Sequence, residues 1–212
     1  MSTISYGTST ELDAVNSILM SVGESPVNTL DVQSPEVAIA QKTLRQVCRE
    51  VQAEGWVFNT ELEYELTIDS NNKVTVPDNV LELDLNRFKH HDDYDVIRKS
   101  DNGTMRLYNR YKHSFEFADV SESKLYADVI WMVEFGDMPP AIKDYVTARA
   151  CRVATNRMVS DPKAAEALAT DEALARSLAL EYDTRQADYN IFSTSQYRTS
   201  VNPYRPYQVL NR

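Results

Sequence analysis

The sequence predicts an α+β fold: a discontinuous four-helix bundle with a small, mostly antiparallel β domain inserted between its halves and an extended C-terminal tail. Hydrophobic residues recur at helical spacing towards both ends, alternate with polar residues in the middle, and follow neither period in the last stretch. We therefore expect the first half of the bundle over residues 1–60, the β domain over 61–136, the second half over 137–190 and the tail over 191–212.

The bulk composition narrows the class of protein. With 42% hydrophobic residues over 212 positions, the chain can bury a core and is neither disordered nor fibrous. No stretch approaches the roughly 20 apolar residues of a membrane span and no signal region opens the chain, so we expect no membrane insertion. Cys48 and Cys151 lie in helical patterns, which predicts two free, buried thiols.

The first predicted helix begins after Thr10. Thr10 is its N-cap, Asp13 three residues later matches a capping box, and Gly23 followed by Pro26 ends it. Its apolar residues share one face at spacings of three and four: Leu12, Val15, Leu19 and Val22.

The second predicted helix has a stronger start signal. Ser34 is the N-cap, Pro35 occupies the first helical position, where a missing N–H costs nothing, and Glu36 meets the positive helix end. Gly55 closes this helix. Its inward residues are Val37, Ala40, Leu44, Val47 and Val51.

Alternation replaces the helical period in the middle of the chain. Every second residue from 61 to 68 is apolar, as in a strand with one solvated face. Residues 69–72 favour a turn and 74–76 alternate again, so we expect a hairpin there. Further features are an alternating strand at 81–85, a turn at 101–103 and the most buried strand at 129–135.

Two more helices follow the β region. Pro140 begins the third, with Ile142, Val146, Ala150 and Val153 facing inward. Residues 160–162 break it, and Asp161 is placed to cap the fourth. In that last helix Leu174, Leu178 and Tyr182 recur every four residues. Two acid-first pairs, Glu172–Arg176 and Glu181–Arg185, are expected to support it.

The motifs of nucleotide-binding, zinc-protease and serine-hydrolase sites are absent from the sequence. His90 and His91 stand beside the acidic segment 92–95, which suits a metal site but is more typical of a solvated loop. Cys151 could pair with a histidine as a nucleophile, yet a core thiol is the favoured interpretation. We therefore expect that the protein is not an enzyme and that it binds no metal and no cofactor.

Charge divides the chain into two parts. The net charge is −10, but residues 191–212 hold three arginines and no acid, so residues 1–190 carry 32 acids against 19 bases, a balance of −13. With this negative balance, residues 1–190 are expected to repel phosphate and not to bind nucleic acid through a basic patch. Arg149 and Arg152 are expected to pair with acids, within the chain or across a subunit interface, and we group them with Trp56 as bundle or inter-subunit contacts.

Four blocks of sequence resemble the tail tubular protein A family of short-tailed, autographivirus-type bacteriophages. They occur in the family's order and span residues 11 to 192. The blocks are Glu11–Val27 (ELDAVNSILMSVGESPV), Gly55–Glu61 (GWVFNTE), Asp137–Pro139 with Tyr145–Val146 and Ala148–Ala150, and Glu181–Tyr182 with Tyr189–Phe192. The β region matches little beyond its position.

The resemblance implies a structural virion protein, a connector also called a head–tail adaptor or gatekeeper. Twelve copies would form a ring in the neck of the virion, between the portal and a nozzle of tail tubular protein B type. Genome DNA would pass through the lumen without specific binding, and the protein would be made in the host cytoplasm. Two alternatives stay open, a phage-tail glycan hydrolase and a transient assembly scaffold.

The C-terminal segment is the remaining candidate site. It has no period of its own, yet it is rich in tyrosine and arginine, the residue types that dominate interface hot spots. We hypothesise that it docks on the portal rather than being a disordered terminus. The residues proposed for this contact are Tyr197, Arg198, Tyr204, Arg205, Tyr207 and Arg212.

Overall fold

A computed structural model describes residues 9–31, 34–85, 94–118, 120, 124–159 and 161–187. Its elements confirm the predicted α+β class, with four helices and small antiparallel sheets. The helices are α1 (Glu11–Ser21), α2 (Pro35–Gln52), α3 (Pro140–Met158) and α4 (Pro162–Gln186). The strands are β1 (Thr60–Thr67), β2 (Val80–Leu85), β3 (Val96–Asp101), β4 (Thr104–Asn109) and β5 (Lys124–Trp131). Short 3₁₀ turns at Val57–Asn59 and Phe135–Asp137 join the two parts.

Local signals fix the helix boundaries as predicted. Thr10 and Asp13 form a complete capping box, since the Thr10 amide donates to the Asp13 carboxylate at 2.9 Å and the Asp13 amide donates back at 3.2 Å. Gly23 adopts a φ of 88°, the left-handed conformation that ends α1. Ser34 is the N-cap of α2, but its hydroxyl bonds Glu36 and makes no cap hydrogen bond.

Helices α1, α2 and α3 pack against one another around one apolar core, and α4 packs chiefly on α3. The predicted inward residues of α2 are all buried, as are Ile142, Val146 and Ala150 of α3, while Val153 is only partly covered. Helix α4 buries little of its own surface. Leu174 and Leu178 are 62% and 53% exposed, and Ala179 is the one buried residue of the helix.

The strands form two antiparallel sheets over a second apolar core. The first has the order β1–β5–β2, and the second is the β3–β4 hairpin, whose turn at Asn102 and Gly103 has positive φ at both residues. The predicted hairpin between 61–68 and 74–76 is wrong. Strand β1 pairs with β5, placing Thr60 opposite Ile130, while Thr75 bridges to Arg106 of β4.

Two details of the strand predictions also need correction. A bulge in β1 places Glu63 at a φ of 55° and leaves Leu62 42% exposed, so the alternation does not hold through the strand. The apolar run 129–135 is not one strand, because β5 ends at Trp131. Beyond it, Val133 and Phe135 belong to the helical core.

Candidate assembly surfaces

A buried polar joint connects the helical part to the β part. The side-chain amide of Gln52, at the end of α2, donates to the Val133 carbonyl at 2.9 Å and accepts from the Val133 amide at 2.7 Å. Asn59 donates to the carbonyls of Gln52 and Trp131 at 3.0 and 2.8 Å and accepts from the Trp56 amide at 3.0 Å. Both side chains are at most 2% exposed, and each of their side-chain nitrogen and oxygen atoms has a hydrogen-bond partner.

Trp56 lies against this joint, inside the helical core. Its indole N–H donates to the Val51 carbonyl at 2.7 Å, and its ring meets that of Tyr145 edge-on at a centroid distance of 6.1 Å. The indole is 3% exposed. The described structure therefore places Trp56 in a contact within the bundle.

Arg149 and Arg152 of α3 both pair with acids of their own chain. The Arg149 guanidinium lies 3.2 Å from the carboxylate of Glu50, in α2, and 3.5 Å from the carboxylate of Glu54, just after α2. Arg152 binds both carboxylate oxygens of Glu172 on α4, and this hydrogen bonding raises the pKa of the guanidinium. These ion pairs tie α3 to α2 on one side and to α4 on the other.

The ion pairs of α4 differ in part from those expected. Glu172 pairs with Arg152, and Arg176 instead reaches Glu54 at 3.1 Å, so the predicted Glu172–Arg176 pair is not formed. The Glu181–Arg185 pair is present, with both side chains more than half exposed.

An open groove runs along the flank of α3 and α4 and has a volume of about 320 Å³. Leu174 and Leu178 form its apolar wall, and the exposed carboxylates of Asp144 and Asp171 stand beside them. Within the described part of the chain, neither carboxylate is in an ion pair. Among the described residues, the groove thus combines exposed leucines with two negative charges that have no ion-pair partner.

A second cavity of about 330 Å³ lies between the start of α1, the middle of α2 and the turn before α3. Cys48 lines it, and burial together with the nearby charge of Glu11 raises the pKa of this thiol to about 12. Burial also raises the pKa of Cys151. Both cysteines are free and are protonated at neutral pH, so neither has the character of a nucleophile.

Other candidate residues are placed as follows. Asp95 pairs with Arg110 at 3.2 Å, whereas His90 and His91 lie outside the described residues. Among the residues that are described, no three of His, Cys, Asp and Glu are grouped closely enough to hold a metal ion. The six tail residues from Tyr197 to Arg212 also lie outside the described part.

Sequence reasoning missed Gln52, Asn59 and the exposed groove. A polar residue after the last apolar position of a helix is normally solvated, so nothing local marked Gln52 as buried.

No helix in the described part of the chain has the length and apolar character needed to cross a membrane.

A family model described as tail tubular protein matches residues 12–189. The match runs from the first turn of α1 to beyond the end of α4 and includes both apolar cores. A search of curated proteins gave no significant match.

Proposed function

The chain belongs to the tail tubular protein family, and on that premise we propose that it is the ring-forming adaptor that links the portal to the tail nozzle. It is a structural protein of the virion tail and assembles into the tail complex. The match over residues 12–189 carries the proposal. We further propose that about twelve copies surround a lumen through which the genome is ejected, at the neck of the virion.

The charge of the described surface supports a conduit that does not hold its cargo. Each phosphate neutralised by a lysine or arginine adds affinity through counterion release, so a basic lumen would retard DNA. The chain has a net charge of −10. Arg149 and Arg152 are held by Glu50, Glu54 and Glu172.

Imaging of mature particles tests the location. Density at the neck, between portal and nozzle, that fits the helical part and the β part of this chain is the expected result. Particles whose neck contains no copy of the chain would contradict the adaptor function. An electrophoretic shift assay with duplex DNA adds a second test, and we expect no retardation at about 0.15 M salt.

We propose that the tail docks on the portal through its tyrosines and arginines. Deleting residues 193–212 should remove portal binding while leaving the helical circular dichroism signal of the protein unchanged. Two triple variants separate aromatic anchoring from charge: Tyr197, Tyr204 and Tyr207 to Ser, and Arg198, Arg205 and Arg212 to Ser. Unchanged portal affinity after the deletion would rule out this contact.

A further inference from the structure

We infer that the groove between α3 and α4 binds the outer face of α2 from a second copy of this chain, in a head-to-tail contact. The inference rests on the proposed function, because it identifies the surfaces through which the ring subunits meet. It depends on three properties of the described surface: an exposed apolar wall, complementary charge and a groove that faces away from α2.

The apolar wall is the first property. Leu174 and Leu178 lie one turn apart on α4, and each exposes more than half of its side chain. Single exposed leucines are ordinary, but two that line one groove form a patch whose burial is favourable. Asp144 and Asp171 border the patch, so its partner should carry positive charge on aliphatic stems.

The outer face of α2 has that character. Lys42, Arg45 and Arg49 recur at spacings of three and four and are exposed, opposite the helix face that enters the core. Arg45 reaches Glu11 only at 4.0 Å, with 73% of its side chain exposed. Lys42 and Arg49 are in no ion pair with any residue that the structure describes. We call these three residues the basic stripe.

The two surfaces match in length and charge. The basic stripe from Lys42 to Arg49 and the groove from Asp171 to Leu178 each cover seven residue steps, which is about 10.5 Å of helix. Lysine and arginine stems can cover leucine side chains while their charged ends reach carboxylates. The attraction between the unpaired acids and the stripe would set the register of the contact.

The groove also faces away from α2, the helix that carries the basic stripe. Leu174 and Leu178 are each two positions from Arg176, so they point about 160° away from it around α4. Arg176 reaches Glu54, just beyond the end of α2, and therefore marks the flank of α4 that faces α2. The groove opens on the other flank. Two different surfaces that share no residue form a heterologous contact, which closes into a ring when the rotation between copies permits.

Site-specific cross-linking tests this contact. Arg45→Cys and Leu178→Cys are made in separate chains, and a short thiol cross-linker is added to each chain alone and to their mixture. The natural thiols of Cys48 and Cys151 are buried and protonated, so they react slowly. We expect the mixture to yield at least several-fold more dimer than either chain alone. A double variant that carries Arg45→Cys and Leu178→Cys in one chain should yield a ladder of multimers.

Matched variants control for chance encounters. Leu180→Cys replaces a leucine of similar exposure two positions from Leu178, on the opposite side of α4, and should not cross-link to Arg45→Cys. Adding Asp144→Lys and Asp171→Lys to the Leu178→Cys chain should lower the yield several-fold, whereas Glu166→Lys should not. Combining the two Asp→Lys changes with Lys42→Glu and Arg49→Glu in the partner chain should restore it.

Several results would overturn the inference. Dimers formed as efficiently by Leu178→Cys alone would indicate a two-fold contact. A gain in thiol reactivity at position 178 after deletion of residues 193–212 would show that the chain's own tail covers the groove. Finally, the double variant is cross-linked in assembled particles. If the chain is present at the neck but gives no ladder, the adaptor function stands and this contact is wrong.

Discussion

Helices α3 and α4 follow one another in the chain, yet they are stabilised differently. The 19 residues of α3 include eight buried ones, while the 25 residues of α4 include one, Ala179. α3 packs against α1, α2 and α4, and α4 packs mainly on α3. The longer helix therefore obtains less of its stability from burial and leaves more of its surface for other molecules.

This difference separates two tasks within one pair of helices. Burial on several sides gives α3 a fixed position, and its arginines pair with acids in α2, just after α2 and in α4. α4 packs on the helical core through Leu168, Ala175 and Ala179 and is held further by ion pairs, whereas Leu174, Leu178 and Leu180 stay exposed. Substitutions should consequently act on stability in α3 and on assembly in α4.

The largest contrast is expected between Tyr145→Ala and Leu178→Ala. Tyr145 is fully buried, contacts the Trp56 ring and accepts a hydrogen bond from Arg149 at 3.2 Å, so truncation should lower the free energy of unfolding by about 3–5 kcal/mol. Leu178 is 53% exposed, and its truncation should cost less than about 0.5 kcal/mol. Urea denaturation of both variants measures this contrast. Equal losses would mean that α4 is as tightly integrated as α3.

The next largest effect is expected at the polar joint. Asn59→Ala removes three hydrogen bonds and takes the acceptor from the Trp56 amide and a donor from the Trp131 carbonyl, while the Gln52 carbonyl keeps its bond from the Gly55 amide, so we expect a loss of about 2–4 kcal/mol. Asn71→Ala, in an exposed turn, is the matched control and should change stability little. If Asn59→Ala is as stable as this control, the two parts of the molecule are not held together by the joint.

The joint and the sheet also show what sequence reasoning could reach. Helix ends were predictable because their causes are local: Thr10 with Asp13, the Gly23 turn, and prolines at the first positions of three helices. Strand pairing was not, since β1 and β5 meet across 70 residues at Thr60 and Ile130, and alternation says nothing about the partner.

The candidate surfaces were predictable only in part for a related reason. The four-residue spacing of Leu174 and Leu178 correctly indicated one helix face, but spacing does not say whether another element covers that face. Arg149 and Arg152 were expected to meet acids, and the identity of those acids depends on how α2 and α4 lie against α3. Such information arises from tertiary packing rather than from any local pattern.

A smaller effect is expected from the ion pairs of α4. Arg152 binds Glu172 with two hydrogen bonds, and the Glu172 side chain is only 14% exposed, so Arg152→Ala should cost about 1–2 kcal/mol. Hydrogen exchange should then rise in α4 before it rises in α3. Arg185→Ala breaks a pair whose side chains are 71% and 56% exposed and should cost less than about 0.5 kcal/mol. Similar losses of stability for both variants would contradict the view that the Arg152–Glu172 ion pair holds α4 in place more than exposed ion pairs do.

The smallest expected effect is a pH dependence at the start of α1, a helix with four buried residues. Hydrogen bonds from the Thr10 side chain and backbone lower the pKa of Asp13 below its ordinary value near 4. A carboxylate with a lowered folded-state pKa stabilises the protein above its unfolded pKa, and this contribution disappears as the pH falls through the folded value. Thr10→Ala should therefore be less stable than the unmodified protein at neutral pH, by about 0.5–1 kcal/mol, and the difference should shrink below pH 4.

Because Ala14, Val15 and Ile18 remain buried, faster hydrogen exchange in Thr10→Ala should be confined to the first turn of α1. Loss of protection along the whole helix would show that its cap, rather than the core, holds it in place.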